Sequence, residues 1–306
     1  MKPEKVAPVV AFVEALCGQL GSPSAYRAAR ILDQVGADLS RLTATSDLDL
    51  LPEDVEWAAQ GIAAAAGERA RFWTDELQRL ERQGIEVVTA GMPNYPTNLR
   101  LVPNRPPLLF VKGALLDSDE RAIAVVGTRA ASVEGREKAL RVATELAKRD
   151  VTVVSGLADG IDVVAHSAAV AAGGRTVAVL GAGLGISTPA AKRGLFNEVI
   201  RNGACVSQWW PQQGATKWTF PLRNIVTSGL SLGTIVIEAS ETSGARLQAL
   251  DARRHGRRLF LLKNLVTDQP WARALVGQPG VHVVERPGEI VELIDLDLGT
   301  HAFSLS

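Results

Sequence analysis

Short apolar segments alternate with longer amphipathic ones through the part of the chain beyond residue 120. Six apolar segments are rich in β-branched residues, and in order they read AIAVV, VTVVS, RTVAVL, ACVS, TIVIEA and RRLFLL. The segments between them have helical spacing, at roughly 133–149, 160–172, 190–202, 221–230 and 244–255. Strands and helices in this order are typical of a parallel sheet covered on both faces. Because such crossovers are right-handed, the pattern predicts an α/β fold with a Rossmann-like, doubly wound, mostly parallel sheet.

The same pattern divides the chain into four parts. Residues 1–75 have helical spacing, which predicts an N-terminal helical domain. Residues 76–120 hold two short strands, GIEVVTAG and LLFVK, among prolines, and we expect a connecting segment that packs on the main domain. The α/β domain takes 121–296 and closes with VHVV and PGEIVELI. Residues 297–306 form a tail, and we expect its HAFSLS sequence to be disordered.

Composition restricts the class of protein and its compartment but does not identify a function. The length of 306 residues agrees with two domains, and 46% hydrophobic residues are enough for a full core. No apolar run approaches the roughly 20 residues that span a bilayer, so no membrane partner is expected. The first apolar stretch contains Glu14 and lacks a cleavage site, which predicts a helix and not a signal peptide. Cys17 and Cys205 are far apart, which argues against a disulfide framework or a zinc site and favours the cytoplasm.

Charge is unevenly spread although the net charge is zero. Acids dominate residues 38–57. From Thr216 to Lys263 the bases outnumber the acids, and they are Lys217, Arg223, Arg246, Arg253, Arg254, Arg257, Arg258 and Lys263. This excess fits either solvated helix faces or a basic binding surface.

Candidate chemistry lies at the carboxyl ends of the strands, where open parallel sheets bind ligands. After the first strand, Gly127 permits a tight turn, and the hydroxyls of Thr128 and Ser132 lie at the start of a helix. Arg129 adds a planar donor for phosphate. These residues predict an anion site, and the alternative is an ordinary turn whose arginine lies in solvent.

The second strand ends at Ser155 and Gly156, and Gly160 opens the next helix. A dinucleotide fold would carry an acidic residue at this strand tip, so Ser155 argues against NAD. His166 lies within the helix, and we expect a packed histidine in place of a catalytic one.

The remaining strand ends add aromatic, basic and capping residues. Gly181 and Gly183 keep a loop low enough for a ligand to cross the sheet. Phe220, Arg223 and Asn224 open a helix and offer donors beside an aromatic ring, although Phe220 also suits docking of that helix. At another strand end, Glu238 is followed by the start of a helix at Ser243 and Gly244.

Catalytic patterns are missing from the sequence. HExxH, CxxC and GxxxxGK[ST] do not occur, and nothing orders serine, histidine and aspartate as a triad. We therefore expect no catalytic residue, metal or cofactor. The Trp209–Trp210 pair suits a core anchor or an interface contact, and we expect partial burial.

Taken together, the strand-end motifs resemble the DNA-processing protein A (DprA, also called Smf) family. The motifs are VVGTR, SGLADGID, AVLGAGL, FPLRN and VIEAS..SGA, and the preceding YPTNLRLVPNRPPLLFVKG is also similar to that family. The helical region before them resembles its sterile-alpha-motif-like or helix-hairpin-helix-like domain. The sequence departs from the family pattern at Gly185, Gln208, Ile225, Gln248 and Lys263.

The resemblance implies a homodimeric protein that binds single-stranded DNA and helps to load a RecA-type recombinase in natural transformation, without catalysis. It places Thr128 and Arg129 on phosphate, has Ser155, Gly156 and Gly160 shape the second turn, and puts Arg223 and Asn224 near the groove. Two alternatives stay open. One is a sensor or hydrolase of a nucleotide-derived small molecule, although LSLGTIVIEA lacks the double glycine of the related PGGxGT loop. The other is a protein-interaction scaffold.

Overall fold

The structure, a computed structural model, describes residues 2–36, 38–43 and 48–304. Its centre is a nine-stranded sheet with the order β1-β2-β6-β5-β4-β3-β7-β8-β9. The strands are β1 (Ile85–Thr89), β2 (Leu108–Gly113), β3 (Ala122–Val126), β4 (Thr152–Ser155), β5 (Thr176–Val179), β6 (Gly203–Ser207), β7 (Gly233–Val236), β8 (Arg258–Leu262) and β9 (Val281–Val284).

Thirteen helices are assigned within the described residues, besides short 3-10 turns at Leu39–Thr43 and Asp117–Glu120. The helices are α1 (Pro3–Cys17), α2 (Pro23–Val35), α3 (Pro52–Ala65), α4 (Glu68–Arg82), α5 (Thr97–Arg100), α6 (Val133–Lys148), α7 (Ile161–Ala171), α8 (Ala190–Asn202), α9 (Thr219–Gly229), α10 (Gly244–Arg254), α11 (Lys263–Asp268), α12 (Pro270–Arg273) and α13 (Pro287–Ser304). None of these described helices is long and apolar enough to cross a membrane.

The predicted doubly wound sheet is confirmed. Strands β3 to β9 pair in parallel, and β3 lies between β4 and β7. The chain therefore adds strands in one direction from β3 to β6 and in the other from β7 to β9. The carboxyl ends of β3 and β7 flank the point where the direction reverses, which is where such folds form a crevice.

The segment 76–120 belongs to the same sheet. β1 pairs with β2, and β2 pairs with β6, both antiparallel, with Phe110 opposite Ser207. At the two ends of the chain, the element bounds differ from those the pattern predicted. α4 is one amphipathic helix that continues past residue 75 to Arg82. α13 continues to Ser304, so the tail predicted to begin at 297 does not begin there, and residues 305–306 lie outside the described residues.

The N-terminal helices pack on the sheet through Trp210. Its ring lies 5.2 Å from that of Trp73 and 6.0 Å from that of Phe110, and its Nε1 donates to the carbonyl oxygen of Gly18 at 3.2 Å. Trp210 is half-buried, as expected, whereas Trp209 is fully buried, with its ring edge-on to that of Trp218. The tryptophan pair is thus a joint between the helical region and the sheet.

A second joint is polar and centres on Asp33 of α2. Its carboxylate accepts hydrogen bonds from the backbone N–H of Gly91, from Nη1 of Arg100 and from Nε of Arg105, each at 2.9 Å. Only 18% of the Asp33 side chain is exposed. These bonds fix the loop between β1 and α5 against the helical region.

Candidate functional site

A cleft of about 410 Å³ lies at the reversal point of the sheet. It is bounded by the loops after β3 and β4 and by the first turns of α9 and α10. Most of the residues predicted for the site line it, namely Gly127, Thr128, Arg129, Gly156, Lys217, Phe220, Arg223, Asn224, Ser243 and Gly244. The sequence motifs therefore converge on one cavity, as expected from the shared edge of parallel strands.

The loop after β3 is held by the start of α7. The carbonyl oxygen of Thr128 accepts the N–H of Ile161 at 3.3 Å, and the N–H of Thr128 donates to the carbonyl oxygen of Glu238 at 2.8 Å. Gly160 makes this packing possible. Its φ is +82°, and a Cβ there would lie 2.5 Å from the carbonyl oxygen of Arg129 and closer still to that of Thr128. Gly160 thus supports the cleft without lining it.

An exposed arginine and a half-buried phenylalanine form one wall of the cleft. The guanidinium carbon of Arg129 lies 4.8 Å from the ring centroid of Phe220, a cation–π contact. Gly181 makes room for the ring, since a Cβ there would lie 2.8 Å from Cδ1 of Phe220. Lys217 is exposed, one turn before Phe220. The wall therefore presents two cations beside an aromatic face.

The floor of the cleft holds Arg223 and Asp162. Nη1 of Arg223 donates to the carbonyl oxygen of Val179 at 2.9 Å, while Asp162 accepts the N–H groups of Gly156 at 3.2 Å and Ala158 at 3.3 Å. Burial raises the pKa of Asp162 above its ordinary value, and the charge of Arg223 opposes that rise. Burial also lowers the pKa of Arg223, against the effect of Asp162. Arg223, predicted as a cation of the groove, is thus hydrogen-bonded to the end of β5.

Glu238 fills the helix start that was expected to bind an anion. Its Oε2 accepts the N–H of Ser132 at 3.1 Å and the hydroxyl of Ser132 at 2.8 Å. The Ser132 hydroxyl in turn accepts the N–H of Gly135 at 2.9 Å and caps α6. A carboxylate is favourable at this position. Ser132 and Glu238 therefore bind each other, and neither lines the cleft.

Two further predicted residues serve the interior instead of the cleft. Ser155 is fully buried, and its hydroxyl donates to the carbonyl oxygen of Val125 at 2.7 Å. Gly183 lies beneath the loop after β6, where a Cβ would meet the carbonyl oxygen of Pro211 at 2.5 Å. Because strand tips and glycine loops also serve packing, the motifs alone did not separate these residues from the ligand-facing ones.

The opposite wall is the start of α10. Ser243 caps the helix, its hydroxyl accepting the N–H of Ala245 at 3.2 Å, and exposed Gly244 follows it. This helix has 11 residues, so its N-terminus carries a favourable field for an anion. Asn224 of α9 is 5% exposed and completes this side of the cleft.

Sequence reasoning did not include Gln248 in the site. Its side chain lines the cleft, is only 2% exposed, and has no hydrogen-bond partner at Oε1 or Nε2. Its spacing could have indicated this position, because Gln248 lies four residues after Gly244 and therefore on the same face of the helix. Asp162 was noticed in the motif but not assigned to the cleft.

Of the basic residues between 216 and 263, only Lys217 and Arg223 line the cleft. Several of these basic residues are engaged within the protein. They are Arg246 with Glu241, Arg254 with Asp251, Lys263 with Glu285, Arg257 with the carbonyl oxygen of Asn98, and Arg223 with that of Val179. Arg129 and Lys217 are the exposed cations of the cleft, and Arg223 lies on its floor beside Asp162.

His166 does not line the cleft and is packed, as predicted. It is fully buried, and its Nδ1 lies 2.6 Å from Oγ1 of Thr176. That hydroxyl also lies within hydrogen-bond distance of the carbonyl oxygen of Val153, at 2.7 Å. Burial lowers the pKa of His166 to about 3.

Fold and cleft together define a Rossmann-like protein with cations, an aromatic face and a helix start around one cavity. Residues 86–294 match the family model described as DNA recombination-mediator protein A. The chain belongs to this DprA/Smf family, which confirms the resemblance read from its motifs.

Curated relatives agree with this assignment. The chain is 34% identical to DNA processing protein DprA of Bacillus subtilis over 197 residues, which cover 64% of this chain and 66% of that protein. It is 33% identical to a putative DprA of Mycobacterium tuberculosis over 294 residues, 94% of this chain and 69% of that one. It spans only 48% of Protein Smf of Synechocystis, with 34% identity over 61% of this chain.

Solved structures show the same fold. The X-ray structure of DprA from Streptococcus pneumoniae superposes with a TM-score of 0.71 and 25% identity, over 95% of this chain and 98% of that one. A DprA structure from Helicobacter pylori, whose description concerns its single-stranded DNA binding mode, gives a TM-score of 0.60 at 21% identity, over 70% of this chain and 96% of that one.

Proposed function

We propose that this DprA-family protein binds single-stranded DNA in the cleft beside β3 and β7. The observation that carries the proposal is the guanidinium of Arg129 over the ring of Phe220, with Lys217 exposed on the same wall. Single-strand binders combine cations that follow the phosphates with planar groups on which bases stack, and the guanidinium layered on Phe220 offers both. The description of the Helicobacter pylori relative supports the same ligand.

The opposite wall suits a phosphate of the same strand. The start of α10 at Ser243 and Gly244 directs backbone N–H groups and the positive end of the helix toward the cavity. A strand crossing the cleft would place one phosphate near this helix start and another near Arg129. Neither wall reads sequence, so binding at the walls is tolerant of sequence.

The test is a titration of a labelled oligodeoxythymidylate followed by fluorescence anisotropy at several salt concentrations. Arg129→Ala should weaken binding about tenfold and flatten the salt dependence by roughly 0.7 log units per log unit of salt, one phosphate contact. Arg201→Ala is the matched control, because Arg201 is 65% exposed on α8 and does not line the cleft. The proposal fails if the unaltered protein shows no salt-sensitive binding at micromolar concentration.

One observation favours a second function, a sensor or hydrolase of a nucleotide-derived small molecule. A cavity of about 410 Å³ falls within the range of small-molecule pockets. Thermal-shift measurements with a mononucleotide and with an oligonucleotide separate the two functions. A shift with the mononucleotide alone supports the sensor, and a much larger shift with the oligonucleotide supports DNA binding.

We also propose that the protein is a homodimer that delivers its strand to a RecA-type recombinase, as the family resemblance implies. Support for a dimer comes from β9, which lies at an edge of the described sheet and exposes 39% of Val283. Light scattering should give twice the chain mass, and Val283→Asp should shift it toward the monomer. A purified recombinase should form filaments on protein-coated DNA faster with the dimer, and equal rates with and without the protein would contradict this role.

A further inference from the structure

Gln248 lines the cleft with a side-chain amide that is buried and unpaired at both ends. Neither Oε1 nor Nε2 has a hydrogen-bond partner, although the side chain is 2% exposed. Buried side-chain amides almost always have partners in folded proteins, and each unpaired atom is unfavourable. Because both atoms are closed to solvent, the amide must turn into the cleft to pair with a ligand there, and that pairing removes the deficit.

Gln248 lies one helical turn beyond the helix start that suits phosphate. The N–H end of that helix, at Gly244 of α10, faces the same cavity, and Gln248 shares the lining with Asn224 and Thr227 of α9. Arg129 and Lys217 provide the cations on another wall. The amide is neutral, so its unpaired atoms suit an uncharged partner with one donor beside one acceptor.

We propose that Gln248 is a specificity-determining residue that binds the edge of an adenine base inserted into the cleft. A glutamine amide pairs in a bidentate manner with the N6 amino group and N7 of adenine. A purine also extends farther from its sugar than a pyrimidine, which suits a contact with a buried amide. This inference rests on the proposed binding of single-stranded DNA and adds a base preference to it.

The experiment compares three labelled strands of equal length with the full chain: oligodeoxyadenylate, the same strand with 7-deazaadenine, and a strand of abasic sites. The unaltered protein should bind oligodeoxyadenylate about tenfold more tightly than the 7-deaza strand, since only N7 is removed. Gln248→Met has a similar shape without the amide. It should abolish the difference between those two strands, whereas Arg201→Ala, outside the cleft, should preserve it and leave the affinity for the abasic strand within about twofold of the unaltered protein.

Each outcome decides between the two proposals. Equal binding of the adenine and 7-deaza strands by the unaltered protein overturns the role of Gln248 and leaves DNA binding in place, with water as the partner of the amide. A base preference that survives in Gln248→Met also overturns it. No binding of any strand refutes the proposed function itself. If Gln248→Met does not fold, the 7-deaza comparison on the unaltered protein decides alone.

Discussion

Replacing Gly160 by alanine tests whether the start of α7 fixes the loop that carries Arg129. The φ of +82° disfavours an alanine by about 1–2 kcal/mol. The added Cβ would also lie 2.5 Å from the carbonyl oxygen of Arg129 and closer to that of Thr128. Both are backbone atoms, so no side-chain rotation relieves the overlap, and the loop must move. Loss of the hydrogen bond from Ile161 to Thr128 adds about 1 kcal/mol.

We therefore expect Gly160→Ala to lower the free energy of unfolding by about 3 kcal/mol or more. The matched control is Gly173→Ala at the other end of α7. Gly173 has a similar φ of +75°, but nothing lies within 4 Å of the Cβ position. This control should lose only about 1–2 kcal/mol.

Urea unfolding gives the free energy of unfolding for both variants, and anisotropy gives the DNA affinity of the folded fractions. The distinguishing result is a weaker DNA complex for Gly160→Ala alone, since Arg129 moves with the loop. Equal destabilisation of the two variants, together with unchanged DNA affinity, would refute the argument that Gly160 positions the phosphate-facing loop.

Three further predictions concern residues outside the cleft, each measured by urea unfolding. The pKa of His166 is about 3 in the folded protein, below that in the unfolded chain, so stability is lost as pH falls below about 6.5, by up to about 1.4 kcal/mol per pH unit. His166→Gln should remove this part of the pH dependence, and an identical pH dependence in the variant would contradict the assignment to His166. Glu238→Gln should cost about 1 kcal/mol through the start of α6 and leave the salt dependence of DNA binding unchanged, whereas a steeper dependence would place Glu238 in the site. Asp33→Asn should cost about 2 kcal/mol because two arginines lose their charged acceptor, and no loss would show that these pairs contribute nothing.

The alternation of strands and helices beyond residue 120 was sufficient to predict the sheet, because each element there has a local pattern of its own. The membership of β1 and β2 in that sheet was not predictable in this way. Phe110 pairs with Ser207 almost a hundred residues later, and neither segment carries a local sign of its partner. The continuation of α13 past residue 296 was missed because its apolar spacing fades there.

The cleft, like the sheet, could be predicted from the sequence only in part. Parallel strands bring their carboxyl ends together, so the motifs at Gly127, Gly156 and Gly244 could be assigned to one edge from the sequence. Which side chain faces the ligand depends on partners from distant segments. Glu238 turns to Ser132 across more than a hundred residues, and the isolation of Gln248 follows from the absence of any such partner among the described residues.

The antiparallel pair β1–β2 has a consequence for any shortened version of this protein. It covers β6, whose residues Ala204–Ser207 bond to β2 along their outer side. A fragment that starts at residue 121 would carry the complete cleft, yet it would leave an apolar, fully buried strand open along that side. Unprotected edges of this kind template pairing with other molecules. The β1–β2 pair therefore protects the edge of β6 from pairing with other molecules, and the cleft is best studied in a chain that retains it.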